Sequence, residues 1–154
     1  MLELIILRHA HAGEALTDFE RPLRDKGRQE ALEVGKVFED KGIFPDYAVV
    51  SPAARTSETY NLASQNWPDC PLVQPQAIYN GSLNSLLEAL SQIPDTVKRA
   101  IIVAHNPGVS YLAEELNKNN DYLAFSPADW CHMTLAIDKW EDIHPTCATI
   151  LSYA

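Results

Sequence analysis

Short, nearly continuous apolar runs alternate with helix-like stretches along this chain, and that alternation restricts it to helices packed on a largely parallel sheet. Leu2 to Leu7, Tyr47 to Val50 and Ala100 to Ala104 read as strands. A helix is predicted from Asp25 to about Lys41, where Ala31, Leu32, Val34, Gly35 and Phe38 fall at helical spacing and Gly42 supplies a stop signal. Ser51 and Pro52 predict the opening of a second helix reaching about Gln65, with the serine as cap and the proline in the first turn. Further helices are expected over Leu83 to Gln92 and Gly108 to about Asn117, and a short strand near Leu72 to Gln74. The tail differs: His132 to Ile137 and Thr146 to Leu151 read as two strands of an antiparallel edge, after a polar loop over Asn119 to Asp129. The expected architecture is a three-layer α/β sandwich, its sheet mostly parallel and its helices on both faces.

A chain of 154 residues without repeats or linker-like segments predicts one domain. With 46% hydrophobic and 21% charged residues it belongs among globular proteins rather than disordered or fibrous ones. A net charge of −9 argues against nucleic acid, whose backbone asks for a basic surface. The same charge means that any anionic ligand must be held by a few arginines that create local positive potential in a cleft. No membrane partner is expected: the amino-terminal apolar run, flanked by Glu3 and Arg8, is too short for a span or a signal peptide, which predicts a cytoplasmic protein. Cys70, Cys131 and Cys147 lack metal-ligand spacing and are odd in number, so reduced thiols are expected. His132 and His144 have no neighbours at ligand spacing, and no metal site is expected. His11 reads as a solvated loop residue, Trp67, Trp130 and Trp140 as scattered aromatics, and Glu30, Glu33, Glu39 and Asp40 as the wet face of the first helix.

Three segments carry chemistry. Arg8 and His9 follow the first apolar run. Ser51-Pro52-Ala53-Ala54-Arg55-Thr56 follows the second and sets Arg55 within a turn of a helix start, where a guanidinium and backbone N–H groups can share an anion. His105-Asn106-Pro107-Gly108 follows the run that ends at Ala104. Ligands of open α/β sheets bind at the carboxyl ends of strands, so two histidines about a hundred residues apart can meet in one crevice. A neutral imidazole is a competent nucleophile toward phosphorus, and a pair of arginines with a second imidazole can stabilise the equatorial oxygens without magnesium.

Arg8-His9-Ala10, Ser51-Pro52 through Arg55 with Thr59, and His105-Asn106-Pro107-Gly108 resemble, in order, the three motifs of the histidine phosphatase superfamily, the phosphoglycerate mutase-like family. Asp18 ahead of Arg21-Pro22-Leu23 and Gly27 is similar to its small SixA-type phosphohistidine phosphatase branch. The resemblance implies a single phosphoglycerate mutase-like domain over 1–154 without a large cap insertion. It also implies a nucleophilic His9 and a phosphate pocket of Arg8, Arg55 and His105, with Arg21 and Asn106 among the substrate-binding residues and no metal or cofactor. The implied partner is a phosphohistidine-bearing protein such as a phosphotransfer domain, with inorganic phosphate as product. Small phosphate esters or sugar phosphates are the alternative substrates, and a non-catalytic phosphate-binding domain is a third reading. Many members of the superfamily carry an acid just after the third strand, where this chain has Tyr79-Asn80-Gly81-Ser82. Glu88 nearby reads as a helix residue. Asp18 is the remaining candidate acid, or else the ion-pair partner of Arg21.

Overall fold

The computed structural model describes residues 1–154. Its strands are β1 (Leu2–Arg8), β2 (Tyr47–Val50), β3 (Leu72–Val73), β4 (Arg99–Ala104), β5 (Trp130–Leu135) and β6 (Ala148–Tyr153). Its helices are α1 (Asp25–Lys41), α2 (Ala54–Ala63), α3 (Leu83–Ser91) and α4 (Gly108–Leu116). All six strands form one sheet in the order β3-β2-β4-β1-β5-β6. The first four run parallel, while β5 and β6 add the antiparallel edge.

The apolar runs are continuous because both faces of the central strands are covered. In β1, Leu2, Leu4 and Ile6 join Leu86 and Leu90 of α3 and Val109, Leu112 and Leu116 of α4 in one core cluster. The alternate residues Ile5 and Leu7 join Ala31, Val34 and Phe38 of α1 and Tyr60 and Ala63 of α2 in the other. That period of two divides the molecule into three layers. The tryptophans are not scattered. Phe38 meets Trp67 and Trp130 edge-on at ring distances of 6.0 and 4.8 Å, whereas Trp140 is buried in the opposite layer and donates to the Val97 carbonyl at 2.9 Å.

Four details depart from the sequence expectations. Leu32 is exposed, because α1 turns only Gly27, Ala31, Val34, Gly35 and Phe38 inward. Helix α2 begins at Ala54 with no side-chain cap, since the Ser51 hydroxyl is taken by a residue remote in sequence (below) and the Ala54 N–H is taken by the Phe19 carbonyl at 3.0 Å. Strand β6 starts at Ala148 rather than Thr146, whose φ of 63° places it in a turn. His132 is far from idle: its Nε2 lies 2.7 Å from Glu3, which also binds Arg99, so the three central strands share one buried ionic group. Burial alone raises the Glu3 pKa, but hydrogen bonds from Arg99 and His132 outweigh it and hold the carboxyl below its ordinary value.

Gly35 is where α1 and α2 touch most closely. A Cβ there would stand 2.2 Å from the Ala63 carbonyl oxygen, which is backbone and cannot rotate away. Gly35→Ala is expected to cost about 2–3 kcal/mol by overpacking, lowering the melting temperature by roughly 5–10 °C. A thermal melt within a degree of the parent would refute this close contact.

Candidate active site

Three strand ends define the site. Arg8 is registered against Ala104, and Val50 against Val103, so His9, Ser51 and His105 all emerge from the carboxyl edge of β1, β2 and β4. Because β4 lies between the other two, His105 stands between its neighbours. Its ring centroid is 5.3 Å from that of His9, and its Nε2 is 2.7 Å from the Ser51 hydroxyl.

His9 Nδ1 lies 2.7 Å from the Ala10 carbonyl, which can only accept, so Nδ1 carries the proton and Nε2 keeps its lone pair. Thr59 supports this turn by accepting from the Ala10 N–H at 3.1 Å while donating to the Arg55 carbonyl at 2.7 Å. Burial, with the positive charges of Arg55, Arg8 and Arg21 nearby, outweighs the Ala10 bond and lowers the His9 pKa to about 4. Its imidazole is therefore neutral at pH 7.

Ser51 is fully buried, and its hydroxyl finds His105 Nε2 and no other partner. A buried hydroxyl donates its proton, so His105 accepts at Nε2 and carries its own proton at Nδ1, which is buried without a partner. Burial, then Arg55 and His9, lower the His105 pKa to about 3. Ser51→Ala should release this arrangement: the ¹⁵N spectrum of His105 is expected to shift away from the Nδ1–H tautomer, with activity reduced about tenfold for one lost hydrogen bond. An unchanged spectrum would show that Ser51 does not set the tautomer.

Arginines close the other sides. Arg8 donates through Nη1 to the Phe125 carbonyl at 2.7 Å, and its buried Nε has no partner. Arg55, buried on the first turn of α2, donates to the Asp18 carbonyl at 2.8 Å and to its carboxylate at 3.2 Å. Arg21 donates to the Gly13 carbonyl at 2.9 Å and pairs with Asp18 at 3.1 Å. These contacts fasten the tip of the 13–22 loop, whose neck is closed by the Gly13 N–H on the Pro22 carbonyl at 2.7 Å.

Asp18 thus meets Arg21 and Arg55, and it also accepts from the Tyr79 hydroxyl. The Tyr79 bond first, then Arg21 and Arg55, hold its pKa down at about 2. As a carboxylate it has no proton to give near neutral pH, so the ion-pair reading of Asp18 replaces the acid one. Asn106 is likewise committed: its amide donates to the Phe125 carbonyl at 2.9 Å and accepts from Ser110 at 2.9 Å, bracing the 119–129 loop and leaving one N–H uncommitted. His11 is not solvated but pairs with Glu30 at 2.7 Å, which takes Glu30 off the wet face of α1.

Ser51, Tyr79 and Phe19 belong to this site but were missed among its sequence candidates. Tyr79 occupies the place after the third strand where an acid was sought, and that position was its only signal. A small cavity of about 130 Å³, lined in part by Tyr79, Gly81 and Leu86, adjoins His105. The largest cavity, about 360 Å³ beside Tyr47, Val73 and Ile93, contains no arginine or histidine and so offers nothing to bind an anion. No helix is long and apolar enough to cross a membrane.

No family model matches the chain. An uncharacterized protein of Mycobacterium tuberculosis is 23% identical over 157 aligned positions, which cover 96% of this chain and 98% of that protein. Among solved structures, the SixA protein of Nakamurella multipartitia superposes with a TM-score of 0.90 at 22% identity, over 99% of this chain and 95% of its own. The protein histidine phosphatase SixA complexed with tungstate gives 0.83 at 22% identity, over 99% and 96%. Phosphoserine phosphatase of Entamoeba histolytica, in complex with 3-phosphoglyceric acid, is more distant at 0.59 and 16%, over 99% and 96%. These likenesses, together with the four parallel strands, the antiparallel edge and the paired histidines, give the chain the phosphoglycerate mutase-like fold of the histidine phosphatase superfamily, on the SixA pattern.

Proposed function

We propose that this protein is a metal-independent phosphatase that removes the phosphoryl group from phosphohistidine in a protein, through a covalent phosphohistidine on His9. The observation that carries the reading is a neutral imidazole with a free Nε2 lone pair, set 5.3 Å from a second imidazole and flanked by Arg8 and Arg55. Arg8 Nε and His105 Nδ1 are buried donors that phosphoryl oxygens would complete. His9 Nε2 attacks phosphorus in line, the bond to the leaving group breaks, and the oxygens are held by Arg8, Arg55 and His105, with Arg21 at the edge. Water then attacks the phosphoryl group on His9, releasing inorganic phosphate and the free imidazole. The whole chain would act as one domain, since only α3 and a single 3₁₀ turn at Gln76–Ile78 lie between β3 and β4, where a large cap would be needed to enclose a small ester. The free thiols of Cys70, Cys131 and Cys147 suit a cytoplasmic setting.

Rapid-quench labelling with a phosphorylated histidine-containing protein is expected to give an acid-labile, alkali-stable phosphoryl group on His9. Turnover should persist in excess EDTA. Small esters turned over as well as the protein substrate would move the reading to an ester phosphatase, and no turnover of either, p-nitrophenyl phosphate included, to a binding domain. The pH profile offers a separate check. Protonation removes the attacking lone pair, so activity should be lost as pH falls through a value near 4, not near the ordinary histidine value of about 6.5. A limb at pH 6–7 in kcat/KM, corrected for substrate ionisation, would rule out a buried neutral His9 as the titrating group.

A further inference from the structure

We propose that Asp18, Tyr79 and Phe19 form a leaving-group subsite, and that the group it takes is a protonated imidazole ring. The inference rests on the phosphohistidine reading above and adds what the enzyme grips besides phosphate. Three rings run in series from the centre of the site to its mouth. Tyr79 lies 5.8 Å from the His105 ring, and Phe19 meets Tyr79 edge-on at 5.0 Å and 89°. Neither Phe19 nor Tyr79 belongs to a core cluster, and Phe19 is 37% exposed, so folding alone does not account for an aromatic wall here. Beside the wall stands the Asp18 carboxylate, half exposed on the loop tip and fixed by Arg21, Arg55 and Tyr79.

A carboxylate next to aromatic faces suits a flat organic cation. The rings attract positive charge through their faces, and the carboxylate favours the charged form of an adjacent imidazole. It disfavours a second anionic group, such as the carboxylate of a small phosphorylated acid. The chemistry of the leaving group then balances without a proton from the enzyme. In the protonated substrate ring one nitrogen bears phosphorus and the other bears hydrogen. When His9 Nε2 forms its bond to phosphorus and the old phosphorus–nitrogen bond breaks, the electron pair returns to the ring nitrogen, and the ring departs as neutral imidazole. An alkoxide would need a proton that Asp18 does not hold. Tyr79 after the third strand is in this light no missing acid but part of the wall.

Two substitutions test this with the full chain, each read as a ratio of kcat/KM values. Asp18→Asn is expected to lower the preference for a phosphohistidine-bearing protein over p-nitrophenyl phosphate, whose leaving group is an anion, by tenfold or more. Phe19→Leu is expected to lower the preference for phosphohistidine over phosphoramidate, which has a cationic leaving group but no ring, by threefold or more. If Asp18→Asn reduces both of its substrates by the same factor, the carboxylate merely positions Arg21 and Arg55 and the subsite is overturned. An equal loss on both substrates in Phe19→Leu overturns the aromatic part in the same way. A parent enzyme that does not turn over phosphohistidine would instead defeat the functional proposal, and that result is seen before either variant is made.

Discussion

Replacing His9 with alanine is expected to abolish turnover, with a loss of more than about four orders of magnitude in kcat because the step that stores the phosphoryl group on the enzyme disappears. No neighbouring group can substitute. His105 directs Nε2 to Ser51 and has no lone pair left on Nδ1, while Asp18 is occupied by two arginines and a tyrosine. The fold should survive, since the imidazole is only half-buried and the backbone of residue 9 keeps its bonds to Ala104 and Ala128. A His9→Ala protein that melts with the parent yet incorporates no phosphoryl group is the expected result. Residual turnover within a hundredfold of the parent would require another nucleophile.

Arg55→Ala should be the next most damaging change, lowering kcat/KM by about a thousandfold, the lower end of what an arginine at a transferring phosphoryl group contributes. Its side chain is 7% exposed, so its charge acts where water screens it poorly. It also ties the loop tip to α2 through the Asp18 carbonyl and carboxylate. Lysine should not rescue it, because one ammonium cannot reproduce the two-pronged geometry of a guanidinium. Steady-state kinetics with inorganic phosphate as inhibitor checks both claims. Arg55→Ala within tenfold of the parent, or Arg55→Lys with near-normal inhibition, would remove Arg55 from the phosphate pocket.

What was legible in the sequence follows from which interactions are local. The reach of α1 could be read to its last residue because Gly42, at φ 66°, ends it by backbone geometry encoded in one residue type. The central strands could be read because burial on two faces leaves a continuous apolar run, and the motif residues could be placed because they lie one step beyond those runs. The start of α2 was misplaced for a nonlocal reason: Ser51 looks like a cap, but its hydroxyl serves a histidine that lies 54 positions away. His11 and Glu30 each look solvated alone and are half-buried as a pair. The Phe125 carbonyl, acceptor for both Arg8 and Asn106, had no side-chain signature to find. Asp18 lay between two roles until Tyr79, 61 positions away, was seen to reach it.

The adjacency of β1 and β4 has a practical consequence. With Arg8 and Ala104 sharing a rung, the gap between the two imidazoles follows from the spacing of hydrogen-bonded strands, about 4.8 Å. Everything between residues 10 and 98 may then be regarded as wiring that delivers the middle strand to its slot. Cut between Cys70 and Pro71, the chain would yield one fragment with His9, Arg21 and Arg55 and another with His105, neither holding a pocket. When the two are mixed, the catalytic signal would rise only as β4 threads between β1 and β2, so the site would serve as its own gauge of whether the sheet has closed.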